Sequence, residues 1–271
     1  MRIHRFLTTL CCLLVAFATA AAPRTFVIAT AEGKSPGAAA TELEGLLAHL
    51  NAQPEMHFTV TTYPSYDAAY DAFKAGKAEL MLVGSVKYVQ AHHEIGAIPV
   101  VAEAPKWQES VIVVATGSPI RTFEQLKGKR FAFGYEGSTT TDLLPRLLLS
   151  KHQMKMTDLK AQYLGSQQDA IVRAVVSGSA DAGALATIVY EANKDKLRAL
   201  DVSERVPGGT IVAHKEIDVP LFEKIRAAMV AYKPGPNARR QRFSAGAEAI
   251  NDADFNKVRF LCKVLFDKTY H

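Results

Sequence analysis

The sequence predicts an α/β protein with two doubly wound lobes. The chain crosses between the lobes twice, and the two crossings are expected to form a hinge. Three observations lead to this fold class. Strands and helices alternate regularly over residues 24–93, and a second alternating series starts at Phe131. The apolar segment 110–115 lies between the two series and is predicted to be a strand that crosses between lobes. Segment 206–271 is assigned to the first lobe, because the second lobe already has its own strands and helices.

The elements follow from apolar periodicity and from helix start and stop residues. Leucines at helical spacing predict a first long helix, Gly76 ends a second one, and a broad apolar face predicts a final helix. The predicted strands cover 24–30, 58–63, 79–83, 98–102, 110–115, 131–133, 162–165, 182–186 and 210–213. The predicted helices cover 38–51, 66–75, 88–93, 122–128, 167–177, 188–194, 221–232 and 252–269.

The chain begins with a segment that is typical of a cleaved export signal. A basic start is followed by an apolar run from Phe6 to Phe17 and by the small-residue sequence Ala18-Thr-Ala20. Residues 1–22 are therefore predicted to be a signal peptide, and the mature protein is expected in the periplasm. The predicted domain limits are 23–115 for the first part of lobe 1, 116–205 for lobe 2 and 206–271 for the return to lobe 1.

Charge and cysteine content exclude several classes of function. The formal net charge of +5 falls when the two arginines of the signal leave, and a mildly basic body does not indicate nucleic-acid binding. Cys262 is the only cysteine after the signal, so no internal disulfide is expected. The pair His92-His93 lacks the spacing of a metal site, and neither a metal nor a cofactor is predicted. Arg239, Arg240 and Arg242 form a small basic patch that is interpreted as a solvated helix face.

The segment from Phe131 to Pro145 is the strongest candidate for a binding function. A short strand is followed by glycines 134 and 137, a run of four hydroxyl residues and a proline that is tolerated only in the first turn of a helix. Unpaired N–H groups and hydroxyls at such a helix start can bind an anion. An ordinary capped helix explains the same residues equally well.

The order of four segments resembles the periplasmic phosphate/phosphite/phosphonate-binding family, the substrate-binding proteins of ABC importers. A tyrosine-led helix ends in Ala-Gly, a Leu-Val-Gly-Ser turn leads to a tyrosine, one stretch introduces the second lobe, and the last resembles the family's oxyanion loop. The segments are Tyr66–Gly76, Leu82–Tyr88, Ser118–Lys129 and Gly137–Arg146. The resemblance implies a type 2 periplasmic-binding-protein fold, a monomer without enzymatic activity, and delivery of a small anion to an ABC permease.

The resemblance also implies which residues hold the ligand. Ser138, Thr139 and Thr140 would bind the oxyanion from the second lobe, and Tyr66 and Tyr88 would reach in from the first. Each tyrosine could instead be a half-buried packing residue.

Three positions depart from the family pattern. The family's histidine falls on Gln168, which we include among the ligand-binding residues, and its later aspartate falls on Ala186. A glycine is replaced by Thr141, and Asp142 follows it, which places a negative charge beside the expected anion. These differences favour an oxyanion or organic acid other than the usual phosphonates. They also leave open a sensory or partner-binding module with a divergent pocket; an enzyme ranks last.

Overall fold

The fold was analysed in a computed structural model that describes residues 24–31, 38–165, 168–236, 238 and 241–271. The predicted signal peptide and residues 166, 167, 239 and 240 lie outside this part of the chain. The strands are β1 (Arg24–Ala31), β2 (Met56–Tyr63), β3 (Leu80–Val83), β4 (Ile98–Glu103), β5 (Trp107–Gln108), β6 (Ser110–Ala115), β7 (Arg130–Phe133), β8 (Lys160–Tyr163), β9 (Ala182–Ala186), β10 (Leu197–Val202), β11 (Val206–Pro207), β12 (Thr210–Ala213) and β13 (Ala247–Ala249). The α-helices are α1 (Ala38–Asn51), α2 (Tyr66–Lys74), α3 (Ser85–Ile95), α4 (Leu144–Lys151), α5 (Gln168–Val176), α6 (Thr187–Glu191), α7 (Val219–Val230) and α8 (Asn256–Phe266).

The first sheet has six strands in the order β13-β4-β12-β3-β1-β2. Strand β1 runs parallel to β2 and β3, whereas β12 inserts antiparallel between β3 and β4. Helices α1 and α7 pack on one face, and α2, α3 and α8 pack on the other, so apolar cores cover both sides. Every residue of β3 is buried, which explains its uninterrupted apolar sequence.

The second sheet has five strands in the order β10-β6-β9-β7-β8, with α4 and α5 on opposite faces. Strand β6 pairs antiparallel with both β9 and β10. The assignment of residues 110–115 to the first lobe as a crossing strand was therefore wrong. The segment is apolar because it lies inside the second sheet, where all but its last residue are buried. The prediction also missed β10, whose residues are mostly half-buried and lack a clear apolar pattern.

The chain passes between the two sheets at a small antiparallel pair, β5 and β11. Trp107 pairs with Pro207, and Gln108 pairs with Val206. These two short strands follow β4 and β10 directly, so the two crossings of the chain run side by side. Their position is consistent with the predicted two-strand hinge, with the first crossing before Ser110. The remaining limits of the lobes stay predictions.

The end of the chain departs from the predicted single helix over 252–269. A 3₁₀ turn, Asp252–Phe255, comes first, because the side chains of Asn251 and Asp254 cap each other's backbone N–H groups. The helix α8 ends at Phe266, and the next residue, Asp267, adopts a left-handed conformation with φ of 53°. Nowhere in the described ranges is a helix both long and apolar enough to cross a lipid bilayer.

Candidate functional site

The carboxyl ends of strands from both sheets meet at one place in the molecule. Val86, at the start of α3 after β3, directs its backbone N–H toward the hydroxyl of Thr139 at 3.4 Å. Tyr66, at the start of α2 after β2, places its ring 5.4 Å from that of Tyr135, which follows β7. We call the space between these facing sheet edges the cleft. Ligands of open α/β folds bind at such carboxyl ends.

The turn after β7 is a single π-helical turn, Thr139–Leu143, rather than the start of a regular α-helix. The amide of Leu143 donates to the Ser138 carbonyl at 2.9 Å, which is the wide hydrogen bond of a π-helix. The Ser138 hydroxyl caps the turn by accepting hydrogen bonds from the amide and the hydroxyl of Thr141, at 3.3 and 2.7 Å. Ser138 and Thr139 are each 6% exposed, and Thr140 is half-buried. The three predicted hydroxyl residues therefore lie on one compact turn.

Thr141 occupies the space beside Gly134. A Cβ atom at Gly134 would collide with the side chain of Thr141, so this glycine makes room for the threonine. The added bulk at position 141, which departs from the family pattern, is thus directed toward the backbone of the turn. It does not occupy the cleft.

Tyr66 and Tyr135 present phenol groups from opposite sheets. The Tyr66 hydroxyl accepts a hydrogen bond from the amide of Gly84 at 2.9 Å. Burial raises the pKa of Tyr66 well above its ordinary value, and the neighbouring Tyr135 hydroxyl adds to the increase. Burial also raises the pKa of Tyr135. Both phenols consequently stay protonated at neutral pH, so each carries a hydrogen-bond donor. Sequence reasoning missed Tyr135, which lies between two glycines in the turn.

The structure separates Tyr88 from this group of side chains. Tyr88 is fully buried in the core of the first sheet, where its ring lies 4.0 Å from that of Phe255. Its hydroxyl donates to the Asp252 carboxylate at 2.6 Å. The expectation that Tyr88 reaches into the cleft is therefore contradicted by its packing. Position 88 lies one helical turn beyond Gly84, on the side of α3 that packs against the C-terminal segment.

Gln168 lies at the start of α5, where its side-chain carbonyl accepts a hydrogen bond from the amide of Ala186 at 2.7 Å. The two positions that depart from the family's histidine and aspartate are therefore direct neighbours. Gln168 follows β8, and Ala186 is the last residue of β9. Both strands run parallel to β7, so the two residues share the sheet edge from which Ser138 projects. This bond uses one of the two lone pairs of the Gln168 carbonyl oxygen.

The negative charge of Asp142 is balanced by an ion pair and hydrogen bonds within the second half of the protein. Its carboxylate is 1% exposed and accepts hydrogen bonds from Arg146 at 2.7 Å, Tyr163 at 2.9 Å and the Gly137 amide at 2.9 Å. Burial and the carboxylate together raise the pKa of Tyr163 to about 12. The negative charge beside the turn is thus paired with a guanidinium, and its repulsion of an anion is reduced.

A cavity of about 740 Å³ opens at one end of the cleft. Its wall includes Tyr66, Lys87, Tyr135 and Gly137, and the C-terminal segment contributes Tyr270. Ser138, Thr139, Thr140 and Gln168 do not line this cavity. The predicted hydroxyl residues lie deeper, against the start of α3.

Arg242 also belongs to this region, although it was interpreted as part of a solvated helix face. Its guanidinium donates to both carboxylate oxygens of Glu103, at 2.6 and 2.7 Å. Its positive charge opposes the increase in pKa that burial produces at Tyr66 and Tyr135. Neighbouring arginines in the sequence hid this position, since a local run of basic residues indicates only a charged surface.

Within the described part of the chain, no three histidine, cysteine, aspartate or glutamate side chains are grouped as metal ligands. The chemistry available at the cleft is hydrogen-bond donation from hydroxyls and amides, with paired charges nearby. Such a group of donors suits the binding of an oxyanion.

The fold and the site describe a two-part binding protein, and the family follows from the sequence match. Residues 28–257 match the family described as ABC transporter, phosphonate, periplasmic substrate-binding protein. The chain belongs to this family.

Individual relatives agree with the family and differ in what they bind. A segment of 139 residues is 32% identical to a probable ABC transporter phosphite binding protein of Prochlorococcus marinus, covering 48% of this chain and 47% of the relative. A segment of 141 residues is 33% identical to a putative aliphatic sulfonates-binding protein of Escherichia coli, covering 51% and 43%. The matched segments thus span less than half of either relative. The solved structure of the Prochlorococcus marinus protein PhnD1 with methylphosphonate superposes with a TM-score of 0.77 at 19% identity, over 91% of this chain and all of that one.

The first prediction concerns the fit between Gly134 and Thr141. Gly134→Ala is expected to lower the free energy of unfolding by about 1–3 kcal/mol, because the new methyl group overlaps the Thr141 side chain. In a Thr141→Gly background the same change is expected to cost less than about 0.5 kcal/mol. Urea denaturation measures both values. Gly117→Ala is the control, since a Cβ atom there meets nothing within 4 Å. Equal costs in the two backgrounds would contradict the steric explanation.

The second prediction concerns the structural role of Tyr88. Tyr88→Phe is expected to lower the free energy of unfolding by about 1–2 kcal/mol at pH 7, because the hydrogen bond to a charged carboxylate is lost. Burial opposes ionisation of Asp252, but Tyr88 and Arg259 outweigh it and lower its pKa. The cost is therefore expected to shrink as the pH falls below the ordinary aspartate pKa of 3.8. Chemical denaturation at several pH values, with Tyr190→Phe as control, tests this; unchanged stability would refute it.

Proposed function

We propose that this protein is the solute-binding component of an ABC importer and captures a small oxyanion in the cleft. Membership of the family supports the transport role, and the facing hydroxyl and amide groups of the two sheet edges support an anionic ligand. The predicted signal peptide supports a periplasmic location. The mature protein acts as a monomer, changes no covalent bond in its ligand and passes it to a permease in the inner membrane.

The observation that carries the proposal is the contact between the turn at Thr139 and the start of α3. The turn brings backbone N–H groups and hydroxyls, the start of α3 brings backbone N–H groups, and Tyr66 and Tyr135 add phenolic donors. An anion between them would accept hydrogen bonds from both sheets and hold them together. Charge-assisted hydrogen bonds become stronger when closure removes water from the site.

The neighbouring positions Gln168 and Ala186 narrow the ligand class. A carboxylate at such a place could accept a proton from the ligand or pair with a ligand amine, but neither residue supplies one. The carbonyl oxygen of Gln168 is already bonded to the Ala186 amide at 2.7 Å. A ligand with an acidic P–OH group or an amine would therefore find no carboxylate here and would lose a charge-assisted hydrogen bond, at a cost of about 1–3 kcal/mol. We therefore propose an oxyanion that carries neither a proton nor an amine.

The third prediction tests anion binding directly. Calorimetry and thermal unfolding with methylphosphonate, phosphite, methanesulfonate and sulfate are expected to show saturable binding of at least one anion. Free ligand at a hundred times its Kd should stabilise the folded state by about 2.7 kcal/mol. Tyr66→Phe and Thr139→Val are expected to weaken binding about tenfold, since each removes a hydroxyl that points into the cleft.

Two matched variants serve as controls for this prediction. Tyr88→Phe removes a buried hydroxyl outside the cleft, and Thr116→Val removes one after β6, at the opposite edge of the second sheet. Both are expected to keep wild-type affinity. If no anion binds and a membrane sensor or other protein partner is captured by the wild type instead, the sensory alternative is supported and the transport proposal fails.

The fourth prediction concerns ligand class. The double variant Gln168→His/Ala186→Asp restores the residue types that the family resemblance places there. It is expected to bind 2-aminoethylphosphonate at least about tenfold more tightly than the wild type, because the new carboxylate can pair with the ligand amine. Calorimetry with this ligand measures the change, and Gln168→His alone is the control. Tight binding of 2-aminoethylphosphonate by the wild type would refute the proposed ligand class.

A further inference from the structure

Glu103, Gly209 and Gly84 form a row across the edge of the first sheet that faces the second sheet. The amide of Glu103 donates to the carbonyl of Gly209 at 2.8 Å. These two residues lie one position beyond Ala102 and Thr210, which face each other across β4 and β12. Val83 faces Thr210 across β3 and β12, so the next position along, Gly84, lies beside Gly209. Residues that face each other across antiparallel strands project to the same side of a sheet. Side-chain atoms in this row therefore point in one direction.

The contacts around the two glycines show that this direction is toward the cleft. A Cβ atom at Gly84 would lie 3.2 Å from the Thr139 hydroxyl and 4.0 Å from that of Tyr135, both from the second sheet. A Cβ atom at Gly209 would collide with the Glu103 carboxylate and the Arg242 guanidinium. The two glycines thus make room for polar groups on the floor of the cleft. The guanidinium occupies the place next to the hydroxyls.

In the ion pair of Arg242 and Glu103, the arginine is the more exposed partner. The Arg242 side chain is 36% exposed, whereas that of Glu103 is 14% exposed. Two parallel hydrogen bonds, and a third from the Phe243 amide at 3.3 Å, fix the carboxylate in place. The guanidinium is therefore held in one orientation and can meet an anion with little further loss of side-chain freedom.

Positive and negative charges near the cleft are equal in number. Lys87 lies 3.4 Å from Asp67, and Arg146 lies 2.7 Å from Asp142. The cavity wall adds one charge of each sign, on Lys268 and Glu136. Together with Arg242 and Glu103, these residues give the site no net positive charge. The cost of dehydrating an ion rises with the square of its charge, whereas its attraction to fixed groups rises only linearly. A neutral site with many dipoles is consequently better suited to a single negative charge than to two.

We infer that Arg242 and Glu103 determine the charge preference of the cleft and favour a singly charged oxyanion over a doubly charged one. This inference rests on the proposed function and makes it more specific. Of the alkylphosphonates and alkylsulfonates, only a sulfonate carries a single charge without an acidic proton, because a phosphonate monoanion keeps its P–OH group. Arg242 supplies the attraction to the anion, and Glu103 both orients the guanidinium and limits its effective charge.

Calorimetry with methanesulfonate and sulfate, which carry one and two charges at pH 7, tests the inference. The wild type is expected to prefer methanesulfonate. Glu103→Gln keeps a hydrogen-bond acceptor for the guanidinium but removes the negative charge. It is expected to improve sulfate binding about tenfold and methanesulfonate binding by less, which shifts the preference toward the dianion. Arg242→Gln is expected to weaken methanesulfonate binding at least about tenfold.

Further variants distinguish an effect of charge on anion binding from an effect on folding. Glu103→Gln/Arg242→Gln removes both charges together and leaves neither one unpaired, so it is expected to fold and still to bind methanesulfonate more weakly than the wild type. Arg130→Gln is the matched control. It breaks a similar double hydrogen bond to Asp181, with distances of 3.1 and 2.8 Å, at the opposite edge of the second sheet. Its affinities are expected to stay within twofold of the wild-type values.

Two results would overturn the inference in different ways. If the wild type binds an anion and the arginine variants bind it equally well, Arg242 has no role and the proposed function stands. The same conclusion follows if Glu103→Gln leaves the preference between the two anions unchanged. If the wild type and all variants bind no anion, the proposed function and this inference fail together.

Discussion

The contact between the turn at Thr139 and the start of α3 is the constraint on which the rest of the site depends. It places the carboxyl ends of two separate sheets against each other, so that backbone amides from both converge on one small volume. The rings of Tyr66 and Tyr135 lie 5.4 Å apart at the same place. The proposed binding of an anion uses donors from both sheet edges, so it depends on how the two halves approach each other.

Glycines at the sheet edges make this approach possible. Gly134 leaves room for Thr141 within the turn, and Gly84 lets Thr139 and Tyr135 come close to the first sheet. Gly209 leaves space for the ion pair of Arg242 and Glu103. A side chain at Gly84 or Gly209 would displace a polar group from the cleft, and one at Gly134 would displace Thr141 within the turn. Positive and negative side chains lie near each other around the cleft, so the cleft has many dipoles and little net charge.

Much of the fold could be predicted from the sequence, because the apolar periodicity of the helices and central strands is a local signal. The elements that were missed or misassigned depend on distant partners. Strand β6 has the apolar sequence of any buried strand, and only its pairing with β9 and β10 places it in the second sheet. Tyr88 shows the same limit, because its orientation depends on Asp252, which is 164 residues away. The roles of Tyr66, Thr139 and Gln168 in ligand binding remain predictions.

The sequence by itself determined the fold class, the family and the compact hydroxyl turn after β7, because each of these depends on the order and spacing of nearby residues. Only the tertiary structure decided which charged groups share the cleft. Arg242 and Glu103 are 139 residues apart in the chain, and they meet because β4 ends beside the start of β13, just after Arg242. The tertiary structure also brings Gln168 into contact with Ala186. Electrostatic interactions depend on distance in space, which a linear sequence does not contain.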